Sequence, residues 1–362
     1  MKYNQIRRVS KKIYIKDTSI GGNSDILIQS MTNTDTLDVT STIEQIKALQ
    51  KSGCDIVRIT VPSLEGAKTI KCIKESGITI PVVADIHFDY RIALECLKYG
   101  VDKIRINPGN IGEDWKVKEV VSACKSECVP IRIGVNGGSL EKHILEKYKK
   151  PCAEALAESA FYHLELLEKN GFYNSVISVK SSDVREMINA NRIIAKACDY
   201  PIHLGVTEAG DNYSGLIKSS AGIGSLLCDG IGDTIRVSLT ANPCEEIKAG
   251  KELLTTLGFY NKGGIQVISC PTCGRTKINL IDLSSSLKEK IALIDTKGKK
   301  LKVALMGCVV NGPGEARECD IGIAGGVGEA VLFKNGEIIK KITEQDIIPV
   351  LCKEIERIIE NE

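Results

Sequence analysis

Cys270 and Cys273, separated by Pro-Thr in the run SCPTCGR, share one tight turn, and Cys308 in MGCVVNGPGE supplies a third thiol from a separate segment. Thiolates in this number and spacing suit an iron–sulfur cluster or a zinc ion. A structural zinc site would close with a fourth cysteine or histidine, and Cys319 can supply that sulfur. Alternatively, the turn Asn311-Gly312-Pro313-Gly314 carries Glu315 back toward Cys308 and offers an oxygen ligand. Oxygen exchanges more readily than thiolate, which would leave one metal corner open to substrate. Spacing alone is compatible with either metal. Ten of the fourteen cysteines lie singly in helical or helix-edge patterns and read as small buried hydrophobes.

A second constellation is cationic. Arg58, Arg105, Arg132, Lys180 and Arg236 each fall within or at the end of a short β-branched run, with Asn107, Asn136, Ser182 and Ser238 close by. Any one of these cations alone could simply partner a carboxylate. Gathering them at one mouth is costly unless an anion balances them, so a phosphate or diphosphate ligand is the physical reading. Asp85, His87 and Glu208 add titratable groups to the same rim. Glu208 would need partial burial to hold a proton before substrate arrives.

The elements that must position these residues follow a regular alternation. Eight runs (ILIQSMT, DIVRITV, PVVADIHF, KIRINPG, IRIGVN, VISVKSS, IHLGVTEA and TIRVSLT) are separated by stretches with apolar residues at three- and four-residue spacing. Strict βα alternation predicts a closed (β/α)8 TIM barrel, with apolar residues filling its interior below the mouth. No glycine fingerprint follows the first strand, which disfavours a dinucleotide fold. The run Asn261-Lys262-Gly263-Gly264 marks a boundary, giving domains at 1–262 and 263–362. The second domain reads as a small α+β module with strands at 265–269 and 302–306, a helix at 283–293, a Gly-rich run, two further strands and a helix. The Gly-rich run 322–328 lacks the Walker lysine and is expected only to permit close packing or turns.

Lysine plus arginine (48) nearly cancel aspartate plus glutamate (46), and no basic run interleaved with aromatics appears, so nucleic acid is not the expected partner. No apolar run approaches membrane-spanning length and no secretory signal is present, so a soluble cytoplasmic protein is expected. In a large chain of that kind, cysteines point to metal or catalytic use rather than a disulfide framework.

Taken in order along the chain, ADIHFDYR at 84–91, RINPGN at 105–110, RIGVN at 132–136, SCPTCGR at 269–275, MGCVVNGPGEA at 306–316 and DIGIAGG at 320–326 resemble one family. It is the 4-hydroxy-3-methylbut-2-enyl diphosphate synthase family, iron–sulfur oxidoreductases of the methylerythritol phosphate route to isoprenoids. The resemblance implies a [4Fe–4S] cluster held by Cys270, Cys273 and Cys308, with Glu315 as a displaceable fourth ligand. It implies reduction of 2-C-methyl-D-erythritol 2,4-cyclodiphosphate by two one-electron transfers, with ring opening and loss of water. Arg58, Arg105, Arg132, Asn136, Lys180 and Ser238 match the family's diphosphate-binding positions, and Glu208 its acid–base carboxylate. Asp85, His87 and Arg236 are further expected substrate contacts. The resemblance also implies flavodoxin or ferredoxin as electron donor, and a head-to-tail homodimer in which each barrel meets the partner's cluster. The chain lacks the large insert of the family's long form. Cys319 adds a thiol beside the motif and keeps a fourth thiolate conceivable. Two rival readings are a zinc-bearing sensor of a phosphorylated ligand and a non-redox, pterin-type transferase.

Overall fold

Along the barrel runs, isoleucine and valine alternate with polar residues, so each strand presents two chemically different faces. The computed structural model describes residues 7–309 and 318–361. Its eight parallel strands are β3 (Leu27–Met31), β4 (Ile56–Thr60), β5 (Val82–Asp85), β6 (Lys103–Ile106), β7 (Ile131–Asn136), β8 (Ser175–Lys180), β9 (His203–Leu204) and β10 (Thr234–Ile235). They are preceded by a hairpin of β1 (Ile13–Ile15) and β2 (Thr18–Ile20). Neighbours run from β8 down to β3 and on through β10 to β9, and a parallel bridge between Ile177 and Ile202 closes the ring.

Helices between the strands begin where short polar side chains cap them. Asp38, Ser63 and Asp183 accept from the first-turn N–H groups of Val39–Lys51, Leu64–Glu75 and Val184–Ala197. Asp183 accepts from two of them, so Asp183→Ala would cost about 1 kcal/mol. Each helix buries one apolar stripe, such as Ile46 with Leu49 or Ile70 with Ile73, against outward strand residues such as Val57, Ile59 and Ile104. Full burial of one such side chain stabilises by roughly 2 kcal/mol.

The inward face departs from the expected apolar filling. One end is apolar, where Leu27, Ile56 and Val83 pack against Ile15 and Ile20 of the hairpin. Above it the interior is polar, with Gln29, Lys103, Arg132, His203 and Thr234 all buried. The hairpin was not foreseen in the basic N-terminal run, and it removes the need for a deeper hydrophobic plug.

The chain divides into two compact units, Met1–Phe259 and Tyr260–Glu362. The second contains a five-stranded sheet of β11 (Gly264–Ser269), β12 (Lys300–Met306), β13 (Ile321–Gly325), β14 (Glu329–Lys334) and β15 (Glu337–Thr343), in that spatial order. The first three strands are parallel and the last two antiparallel. Helices Leu280–Ile291 and Ile347–Asn361 share its apolar core through Leu287, Leu351 and Ile355. The Gly-rich run is largely strand β13, although glycine is a poor strand former. A Cβ at Gly322 would lie 2.5 Å from both Ala304 Cβ and Phe333 Cζ, so close packing explains the residue.

Candidate functional site

Strand register decides which side chains share the barrel interior. Asp85 pairs with Arg105, Arg105 with Arg132, and Asn136 with Lys180, so all of these point inward from adjacent strands. Arg105, Arg132, Asn136 and Lys180, with Arg58, Gly134, Ser178, Thr207, Arg236 and Ser238, surround a cavity of about 90 Å³. Asp85 itself is set behind its partners. Its Oδ1 accepts from Arg105 NH1 at 3.1 Å, its Oδ2 lies 3.2 Å from Arg58 NH2, and the carboxylate is 1 % exposed. Gly134 leaves room for Arg105, since a Cβ there would meet the guanidinium at 2.2 Å.

Arg236 is held differently, by Glu246 from helix Pro243–Thr256. Its Nε and NH2 donate to the two Glu246 oxygens at 3.1 and 3.0 Å. The same carboxylate accepts from Ser30 Oγ at 2.8 Å and Leu239 N at 3.2 Å. Glu246 therefore fixes both Arg236 and the turn that carries Ser238. The sequence reading missed it. A first-turn glutamate after the eighth strand, next to a strand arginine, was the available signal.

The charges do not balance. Arg58, Arg105, Arg132, Lys180 and Arg236 line the cavity, and Lys103 lies below them, against two carboxylates, Asp85 and Glu246. Burial is the largest influence on Arg58 and, against the pull of Asp85, brings it down to about 10. Burial and then neighbouring cations push Arg132 and Lys180 well below their usual values. For Asp85, burial pulls upward as the largest single influence, but the surrounding cations together, Arg58 and Arg105 foremost, hold the carboxyl below the ordinary range. Guanidinium groups stay protonated in proteins, so this surplus favours an anion in the cavity.

The remaining rim residues lie at its edge. His87 is exposed, with Nε2 3.7 Å from Asp85 Oδ2. Glu208 follows Thr207 directly and is also exposed, so the burial expected for holding a proton is not provided by this unit. Its backbone is left-handed, with φ of 53°, a conformation that costs a non-glycine residue about 1–2 kcal/mol and recurs at functional sites. Asn107 is buried with both amide atoms lacking partners among the described residues, whereas Ser182 faces solvent.

The cysteines sit at one edge of the second sheet. Cys270 follows β11 directly and Cys308 lies two residues beyond β12, and these strands are parallel neighbours. Both turns therefore emerge at the same carboxyl edge. Cys270 Sγ accepts from Gly307 N at 3.2 Å. The backbone and then the side chain of Arg275 draw the exposed Cys273 thiol below its usual value, toward thiolate. Among the described residues, no three histidine, cysteine or carboxylate side chains are already gathered tightly enough to hold a metal ion. The donor set nevertheless fits an iron–sulfur cluster: thiols only, one biased toward thiolate and one receiving the kind of N–H···S bond that tunes such clusters. Glu315 lies outside the described residues. Cys319 is 2 % exposed and packs among Ala304, Met306, Ala324 and Phe333, with Cys270 alongside. Burial raises its thiol.

A closed parallel barrel with a cationic mouth, followed by a small sheet domain with cysteines at one edge, defines a two-domain TIM-barrel class. Residues 10–251 match the GcpE TIM-barrel domain and residues 266–357 the GcpE protein C-terminal domain. The chain belongs to the GcpE family. It is 55 % identical to the 4-hydroxy-3-methylbut-2-en-1-yl diphosphate synthase (flavodoxin) of Fusobacterium nucleatum, covering 98 % of this chain and 99 % of that protein. It is 56 % identical to the enzyme of the same name from Clostridium perfringens, covering 97 % and 99 %. Among solved structures, the dihydropteroate synthase of Xanthomonas albilineans matches 69 % of this chain and 97 % of its own, with TM-score 0.50 and 12 % identity. That likeness concerns the barrel fold alone. Among the described residues, no helix is long and apolar enough to cross a membrane.

Proposed function

We propose that this chain is a 4-hydroxy-3-methylbut-2-en-1-yl diphosphate synthase acting in the cytoplasm. It takes 2-C-methyl-D-erythritol 2,4-cyclodiphosphate, two electrons and two protons, opens the ring, and releases one water with (E)-4-hydroxy-3-methylbut-2-enyl diphosphate. The observation that carries the reading is the buried cation surplus at the barrel mouth, in a chain that shares more than half its residues over nearly full length with enzymes of that name.

In this reading the barrel binds the substrate and the second domain holds a [4Fe–4S] cluster through Cys270, Cys273 and Cys308, with Glu315 as exchangeable fourth ligand. When bound, that cluster supplies single electrons and a Lewis-acidic iron. The chain's own residues do the rest. Arg58, Arg105, Arg132 and Lys180 neutralise the diphosphate, and Asn136 and Ser238 hydrogen-bond its oxygens. Asp85 and Glu246 hold guanidinium groups in place before substrate arrives, so little reorganisation remains at the moment of reaction. Arg236 and His87 close the rim, and Glu208 delivers a proton to the departing hydroxyl. Flavodoxin or ferredoxin provides the electrons, and a head-to-tail homodimer brings each barrel to the partner's cluster.

The test is anaerobic turnover of the cyclodiphosphate with reduced flavodoxin, followed by product analysis. Formation of the allylic diphosphate is expected from brown protein carrying about four iron per chain. Colourless protein with bound zinc, or turnover that persists without a reductant, would displace the reading.

A further inference from the structure

One step of alternation below the cavity-lining Arg105, on the same inward face of β6, lies a lysine with no assigned use. Lys103 is fully buried, and its Nζ has no hydrogen-bond partner among the described residues. One residue pair along a strand rises about 7 Å, so its backbone sits that far beneath that of Arg105. The charged groups acting on it are Arg132 from β7 and Arg58 from β4. His203 faces the same layer from β9, with Nδ1 2.7 Å from Thr234 Oγ1 and Nε2 without a partner among the described residues. Asp85, one register step higher and opposite Arg105, is engaged by Arg58 and Arg105.

A buried ammonium with three donors, no acceptor and cations on two sides is the costly form of this side chain. Burial first, and then Arg132 and Arg58, hold Lys103 well below its ordinary value. A doubly charged anion in the cavity offsets most of the positive field from above. We propose that Lys103 is a proton-accepting counter-charge, a neutral amine beneath the empty cavity and an ammonium when an anion fills it. This rests on the reading that the cavity takes an anionic substrate. The binding event then carries its own proton: each anion bound is accompanied by net proton uptake from solvent, with no bond in the ligand changed. The device lets the empty barrel carry one cation fewer and the filled barrel one more.

Sulfate is the probe, because it is doubly charged and does not titrate near neutrality. Calorimetric titration of the purified full chain, repeated in buffers of different ionisation enthalpy at about pH 8.5, counts protons well above the ordinary imidazole range. The expected result is uptake of roughly half to one proton per sulfate in the wild type, and little uptake with about tenfold weaker binding in Lys103→Met. Wild-type heats independent of buffer would overturn the proposal without requiring any variant. So would uptake that survives Lys103→Met, which would move the proton to Lys180, the buried lysine that lines the cavity itself, or a complete lack of sulfate binding. Titration with the cyclodiphosphate separates the two readings. Sulfate-linked uptake without cyclodiphosphate binding leaves Lys103 as described and removes the proposed substrate. Tight cyclodiphosphate binding with no linked proton does the reverse.

Discussion

The barrel mouth and the cysteine edge are built on opposite plans. In the barrel, the cations that line the cavity stand on strands or directly after one, are largely buried, and are fixed by register or by a carboxylate such as Asp85 or Glu246. At the cysteine edge the thiols ride on turns, Cys273 is exposed, and the described side chains do not converge into a metal-binding group. The first site is organised before its ligand arrives. The second rides on turns rather than strands, the kind of setting in which metal binding and local folding are commonly coupled. An anion therefore finds a prepared hole, whereas a cluster would make its own.

If that contrast is right, the two sites can be damaged separately. Cys308→Ser is expected to have the largest effect: iron content and turnover fall by about two orders of magnitude or more, while sulfate affinity at the barrel stays within about twofold. Iron analysis beside calorimetry checks this, and joint loss of both properties would break the contrast. Next comes Arg132→Met. Removing a buried partner of an anion costs about 2–5 kcal/mol, so KM for the diphosphate should rise roughly thirtyfold or more. The same change removes an uncompensated buried cation, so the melting temperature should not fall. Glu246→Gln should show the opposite balance. It leaves the Arg236 guanidinium and Ser30 with a weaker acceptor and lowers stability by about 1–3 kcal/mol, seen as a melting shift on the order of 5 °C.

Asp85 gives a test with a pH sign. Burial raises its folded-state value, but the surrounding cations together, Arg58 and Arg105 foremost, bring it below the ordinary one, so its stabilising contribution is complete above the unfolded carboxyl range and disappears as pH falls through the folded one. Asp85→Asn should therefore melt lower than wild type near neutrality, with the gap closing only below about pH 4. A gap that closes at higher pH would mean that the two arginines do not hold this carboxylate.

The barrel was legible because β-branched alternation and helix caps are local signals, and the cations fall at strand ends where any such barrel places its mouth. What sequence reading missed came from register and distance. Period-two alternation already put Lys103 on the face of Arg105, but an apolar interior was assumed and the lysine was passed over. Glu246 acts on Ser30, which lies far away in sequence, and no window of spacing reveals that pairing. The strand at Gly322 was hidden for the converse reason: its glycine answers Phe333 and Ala304 across the sheet, so local propensity pointed the wrong way. The proton-holding environment asked of Glu208 is not supplied by its own loop, where the residue is exposed.

The smallest expected effect concerns Cys319, whose thiol is the one sequence feature that would turn an exchangeable corner into a fourth sulfur. Its surroundings argue against that use. It is enclosed by Ala304, Met306, Ala324 and Phe333, and burial raises its thiol, the wrong direction for a ligand that must be thiolate. Cys273, at the same edge, is drawn the other way by Arg275. Cys319→Ala should thus lose about 1 kcal/mol of stability through a small cavity while iron content and turnover stay near wild type. Because Cys270 packs alongside, the substitution would also feel any sulfur–iron bond at that position. A fall in iron comparable to that of Cys308→Ser would make Cys319 a ligand, close the corner assigned to Glu315, and extend the barrel's preorganised plan to the cysteine edge.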